Sequence, residues 1–231
     1  ICHTFSQALG AFGYPECPGH IMVSNPMWRK SASEFAQMVQ QWLLMPYPDS
    51  LMNLAIFLDA HAVCGDTQLL DQARQALMRL ATDHDAMLAR FAAAIDAFGN
   101  SHGWWNRLLG LDYQQGLHLK KEGIFPLVHG VRSLALAEHL QETSTTARIE
   151  ALVAKNVITP ALGADLTQSL HFLMGLKLKA GVTEMATQRE VSGLVNVGKL
   201  STLDRDLLKD ALSVVKHFKG LLRSRFKLDA L

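Results

Sequence analysis

Asp59 stands alone in an apolar run, Leu54–Cys64 (LAIFLDAHAVC), two residues before His61. An ionised carboxylate in such surroundings is costly unless a cation, a metal or hydrogen-bond donors meet it. Read as a strand closed by Gly65-Asp66, the run would project Asp59 and His61 from one face. Metal or hydroxyl chemistry at Asp59 competes with a simpler account, an aspartate at a strand end making one local hydrogen bond. Arg29 follows Asn25-Pro26 and could reach a phosphate, though a surface ion pair explains it as well. Lys120 and Lys121 precede Gly123 and Pro126, where a cation could neutralise a nucleotide or an acidic substrate. In an extended piece the two would point to opposite faces, so only one would meet a pocket. Arg132 and His139 lie seven apart, on one face of a helix, the spacing of an Arg-x6-His pair in one class of helical ribonuclease.

The elements that must position these residues are mostly helical. His20–Ser24 and Leu54–Cys64 read as short strands in the first hundred residues, a helix competing for the first half of the second, with helices around them. The opening Ile1–Leu9 reads as helix. Ser33 is placed to cap a helix to about Met45, ended by Pro46 and Pro48, and Asp66 to cap a long helical tract after it. Asn100–Trp105 (NSHGWW) is a shift in composition and marks a boundary, giving domains at 1–100 and 101–231. Beyond it, Gly116–Gly123 reads as extended and Pro126 opens a helix. Thr145 or Thr146, then Thr159 before Pro160, then Ser201 or Thr202 cap three more. The predicted fold class is mainly α: a partial mixed α/β segment followed by an all-helical bundle.

Composition narrows the function. Hydrophobic residues make up 49% and charged residues 19%, enough apolar material for a buried core rather than a disordered tail. The 22 basic and 21 acidic residues leave a net charge of +1, so no bulk field draws nucleic acid or an anionic membrane. Cys2, Cys17 and Cys64 are far apart and form no C-x-x-C, and the ten histidines include no H-E-x-x-H. No apolar run of about 18 residues is present, and the start lacks the basic end and apolar core of a secretion signal. A cytoplasmic protein is expected, and a chain opening at Ile1 is expected to be a piece of a longer one.

Three stretches, in order, carry a resemblance. They are Gly13–Arg29 (GYPECPGHIMVSNPMWR), Asn53–Asp66 (NLAIFLDAHAVCGD) and Leu119–Leu136 (LKKEGIFPLVHGVRSLAL). Together they resemble nucleotidyltransferases found downstream of cyclic-nucleotide-binding and CBS domains, relatives of the protein-PII uridylyltransferases. The resemblance covers nearly the whole chain. It implies the later half of a nucleotidyltransferase domain over 1–100 and a helical substrate-binding domain over 101–231. It also implies transfer from a nucleoside triphosphate to a protein or small-molecule hydroxyl with Mg2+, under upstream regulatory domains.

Catalysis in that family implies a G-S turn at a helix start and a D-x-D pair on the next strand, to grip the triphosphate and hold metal. Neither is found. The D-x-D strings at Asp83–Asp85 and Asp204–Asp206 lie in helical tracts without that turn and read as solvated helix acids. Asp59 stands where the resemblance implies a third, metal-sharing carboxylate, although the family commonly has arginine where His61 stands. The chain is therefore expected to lack a complete catalytic centre and to bind substrate, through Lys120, Lys121, Arg29 and Arg132. A helical regulatory or dimerisation module without catalysis is the alternative. An exposed strand edge left by half a sheet predicts self-association, a homodimer being the simplest form.

Overall fold

The computed structural model describes residues 1–44, 49–81, 85–97 and 116–230. Among them the protein is mainly α, with no strand and a single antiparallel bridge between Leu117 and Val195. The chain divides into two compact units, Ile1–Leu54 with His61–Leu80, and Ala55–Ala60 with Ala81–Leu231. The boundary expected at Asn100–Trp105 lies outside the described residues, as do Pro46, Pro48 and Asp83.

The first unit holds α1 (Cys2–Ala11), a 3-10 turn (Pro26–Trp28), α2 (Ala32–Leu44), the first half of α3 (Ser50–Leu58) and α4 (Gln68–Ala81). Ser31, rather than Ser33, starts α2: it and Glu34 exchange hydrogen bonds, the Glu34 N–H donating to Ser31 Oγ and the Ser31 N–H to Glu34 Oε2 at 3.0 Å. Met38, Val39, Trp42 and Leu43 then form the buried stripe of α2, and Trp42 packs on Trp28 and Phe35. Asp66 Oδ1 accepts from the Gln68 N–H at 2.9 Å, the expected cap of α4.

Both expected strands are absent. His20–Ser24 is a loop: Asn25 donates to the His20 carbonyl at 2.8 Å and accepts from the Met27 N–H, closing a turn with no neighbouring chain to pair with. Leu54–Leu58 completes α3, and Asp59 stands in the turn that follows. The physical reason lies in the pattern. LAIFL is continuously apolar rather than alternating, so its period favours neither form, and Ser50–Asn53 before it extends the run to helical length.

The second unit is a bundle of α5 (Asp85–Ala97), α6 (Phe125–Ala137), α7 (Thr145–Ala154), α8 (Pro160–Ala186) and α9 (Thr202–Arg225). Ser144, Thr159 and Ser201 cap α7, α8 and α9, each accepting a backbone N–H through its hydroxyl at 3.0 to 3.2 Å. Helix α6 is the centre. Ten of its residues are buried, and it packs against α5, α7 and α9. Leu127, Val131 and Leu134 join Leu173, Leu212, Phe218 and others in one core. Lys120 and Lys121 lie in a π-helical turn (Lys120–Ile124) leading into α6, not in an extended piece. Helix α8 runs past Gly181 to Ala186.

Candidate functional site

Helix α6 is apolar except for His129, Arg132 and Ser133, three residues at spacings that share one face. The Ser133 hydroxyl turns back to the His129 carbonyl at 2.9 Å and needs no partner outside the helix. The His129 ring is buried between Phe91 and Phe125, with centroids 4.5 and 5.3 Å away. Its Nε2 lies 2.7 Å from the Phe91 carbonyl, which can only accept, so Nε2 carries the proton. Nδ1 is then an acceptor and faces Arg132 Nη1 at 3.4 Å. One tautomer satisfies both neighbours.

Arg132 reaches from α6 to Asp59 with a two-pronged grip: Nε donates to Oδ1 at 3.1 Å and Nη2 to Oδ2. Arg148, from the buried side of α7, donates to the same Oδ1 at 2.6 Å. Its other nitrogens reach the Leu58 carbonyl at 2.8 Å and the Glu142 carbonyl at 2.7 Å. The Leu58 bond satisfies a carbonyl at the end of α3 and sets a cation where the helix dipole is negative. All of these residues belong to the second unit, because Ala55–Ala60 packs with it.

Burial raises the proton affinity of Asp59, but the hydrogen bonds and charges of Arg132, then Arg148, outweigh it and leave the carboxyl below its ordinary value. Burial also drives His129 down to about 4; the Phe91 carbonyl and Asp59 oppose this while the Arg132 charge adds to it. At neutral pH the site is therefore a carboxylate, two guanidiniums and a neutral imidazole. Asp59 is open to solvent over 37% of its side chain, whereas Arg132 and Arg148 are 10% and 3% open. Such an arrangement can accept a hydrogen bond from a hydroxyl at the open side of Asp59, while both guanidinium forks are already engaged inside the protein. It contains no base tuned near neutrality, since Asp59 is too weakly basic and His129 is shut away.

The residues present do not fit a magnesium centre. Both oxygens of Asp59 accept from guanidinium groups, a poor setting for a divalent cation, which wants free carboxylate oxygens. Among the described residues no group of three or more His, Cys, Asp or Glu side chains is placed to share an ion.

Of the residues singled out by sequence, the structure unites Asp59 and Arg132. Lys120 and Lys121 are exposed on the π-helical turn, and Arg29 is exposed beyond the 3-10 turn of the first unit. His61 is exposed and does not share a strand face with Asp59. His139 is not on the Arg132 face: α6 ends at Ala137, and His139 lines a separate open cleft of about 670 Å3 with Asp85, Arg225 and Lys227. That removes the geometry an Arg-x6-His pair requires. Asp204 and Asp206 lie in the first turns of α9, beside Lys179 and Lys209. His129 and Arg148 were missed. The signal for His129 was its place three residues before Arg132 in an apolar helix, and for Arg148 a charge beside Ile149 on the apolar face of α7.

The second unit is a helical bundle in which two arginines clamp one partly open carboxylate. Residues 85–226 match the family described as "Putative nucleotidyltransferase substrate binding domain", and residues 1–49 match "Putative nucleotidyltransferase DUF294". The first match spans more than half of the chain, which therefore belongs to this nucleotidyltransferase substrate-binding family. No curated protein and no solved structure was found to match the chain.

Proposed function

We propose that this chain supplies the acceptor-binding part of a nucleotidyltransferase that moves a nucleotidyl group from a nucleoside triphosphate to a hydroxyl of a protein or small molecule. Its setting is the cytoplasm, in signalling polypeptides with cyclic-nucleotide-binding or CBS domains and a kinship to protein-PII uridylyltransferases. The observation that carries this reading is the convergence of Arg132 and Arg148, both within the stretch matched by the substrate-binding family, on the partly open Asp59, which precedes that stretch. Asp59 acts as a fixed acceptor for the incoming hydroxyl, and the arginines set its position and charge. Lys120 and Lys121, exposed at the entrance to α6, add attraction for an acidic acceptor, and Arg29 a phosphate contact in the first unit. Magnesium is assigned to no residue of this chain.

A second reading, a helical regulatory module without catalysis, is favoured by the guanidinium groups that already engage both Asp59 oxygens. Calorimetric titration with ATP, GTP, CTP and UTP in magnesium tests both, run on this chain and on a longer polypeptide carrying the G-S and D-x-D elements. Triphosphate binding and transfer by the longer polypeptide alone, with transfer lost at least tenfold in Asp59→Asn, supports acceptor binding. Unchanged transfer in Asp59→Asn leaves the regulatory module. Triphosphate binding by this chain, weakened by Asp59→Asn, overturns the division of labour.

A further inference from the structure

Helix α8 buries one face in the bundle and leaves a second apolar stripe outside it. Met174, Leu178, Val182 and Met185 are 53%, 68%, 56% and 67% exposed. At 100° per residue these positions fall within an arc of about 80° and run about 16 Å along the helix. Nothing stands within 4 Å of the space a side chain would take at Gly175, beside the stripe, so another backbone could approach closely there. Exposed apolar side chains are ordinary when scattered, but four in register on one helix are not.

The charges along one edge of the stripe identify the occupant. Lys177 and Glu184 lie seven residues apart, on the same flank, and both are partly buried. A second copy of α8 laid antiparallel about an axis near residues 180–181 would set Lys177 against the partner's Glu184, and Glu184 against the partner's Lys177. The same register brings Leu178 within about one residue of the partner's Val182, and Met174 within about two of the partner's Met185. A parallel pair would turn Lys177 towards the partner's opposite flank, away from Glu184, and form no such ion pair. Glu184 already accepts from the Ser192 N–H and hydroxyl at 3.0 and 2.6 Å, which fixes its carboxylate and leaves its charge uncompensated by them. The four side chains offer roughly 450 Å2 per copy, so the stripe and its flanks approach the ~1,000 Å2 total of a specific interface. That area corresponds to a weak, concentration-dependent dimer.

We propose that the exposed stripe of α8 is a homodimer interface, in which two copies pair antiparallel through Met174, Leu178, Val182 and Met185, with reciprocal Lys177–Glu184 ion pairs. The surface is not the strand edge expected from sequence. It is independent of the Asp59 site and of nucleotidyl transfer.

Sedimentation equilibrium over ~5 to ~200 µM tests the pairing, the upper range being where an interface of this size should be populated. The chain is expected to rise from 25.5 kDa towards twice that mass. Leu178→Glu, on an exposed position, should remain monomeric with unchanged melting. Lys177→Glu should weaken dimerisation at least tenfold and Lys177→Glu with Glu184→Lys should restore it; Glu184→Gln, which keeps an acceptor for Ser192, should weaken it less. In a background with Cys2, Cys17 and Cys64 replaced by serine, Gly181→Cys should cross-link to its own copy and Met174→Cys should not. A monomer throughout, or a Leu178→Glu variant that dimerises as the original does, overturns the interface and leaves the stripe to another partner. Cross-linking through Met174→Cys alone overturns the antiparallel register.

Discussion

At the scale of single residues, Arg148 carries the most structure. It binds Asp59, ends α3 through the Leu58 carbonyl and holds the Glu142 carbonyl, so its loss unties three segments at once. Arg148→Met should cost about 2–4 kcal/mol in urea unfolding, towards the low side of a broken buried ion pair because Asp59 can draw on solvent. The two titrating groups set the pH response. Folded His129 stays neutral down to about 4, while an unfolded histidine takes a proton near 6.5. The unfolded state thus binds more protons between those values, and stability falls as pH drops from 6.5 to 4, by up to about 3 kcal/mol. Asp59 has the opposite protonation chemistry but the same direction: its depressed value gives stability that is lost only as pH falls below the ordinary 3.8. Urea midpoints measured from pH 8 to 4 should decline for the original chain and flatten for His129→Gln, which keeps a donor for the Phe91 carbonyl.

At the scale of elements, α6 is buried nearly all round because its neighbours come close on every side. Gly130 is where α9 comes closest: a methyl group there would overlap Leu222 and lie 2.7 Å from the Phe218 ring. Gly130→Ala should therefore destabilise by about 1–3 kcal/mol, the cost of overpacking exceeding the gain in helix propensity. Gly220, within α9, has nothing within 4 Å of the added methyl, and Gly220→Ala should stabilise by about 0.5–1 kcal/mol. Differential scanning of the two variants should move the melting temperature in opposite directions. The caps behaved as sequence expects at Thr159 and Ser201, since a hydroxyl before a helix start acts within one turn of chain. The start of α7 fell to Ser144 rather than Thr145 or Thr146 because four adjacent hydroxyl residues, Thr143 to Thr146, compete for the same N–H groups.

At the scale of the whole molecule, the compact units do not follow the order of the chain. Ala55–Ala60 packs with Ala81–Leu231, which brings Asp59 into the helical unit. A chain of residues 81–231 would bury Arg132 and Arg148 without their carboxylate. It should melt several degrees below a chain of residues 50–231, by about the energy of the broken ion pair. Equal melting temperatures would mean that the clamp contributes nothing to the unit. None of the described helices is long and apolar enough to cross a membrane.

Sequence alone determined the features whose physics is local. The amphipathic faces of α2 and α9, the capping hydroxyls and the mainly helical class all follow from residues within a few turns of one another. The oddity of Asp59 was also legible, because a lone carboxylate in an apolar run demands a counter-charge wherever it lies. The identity of that counter-charge was not. Arg132 and Arg148 are 73 and 89 residues away, and only the packing of Ala55–Ala60 into the second unit brings them within hydrogen-bond reach. The strand reading failed for a related reason: a continuously apolar segment carries no period, so its conformation is decided by which neighbours are present to bury it. Here those neighbours are helices, and the carboxylate that sequence offered to a metal is held by two arginines.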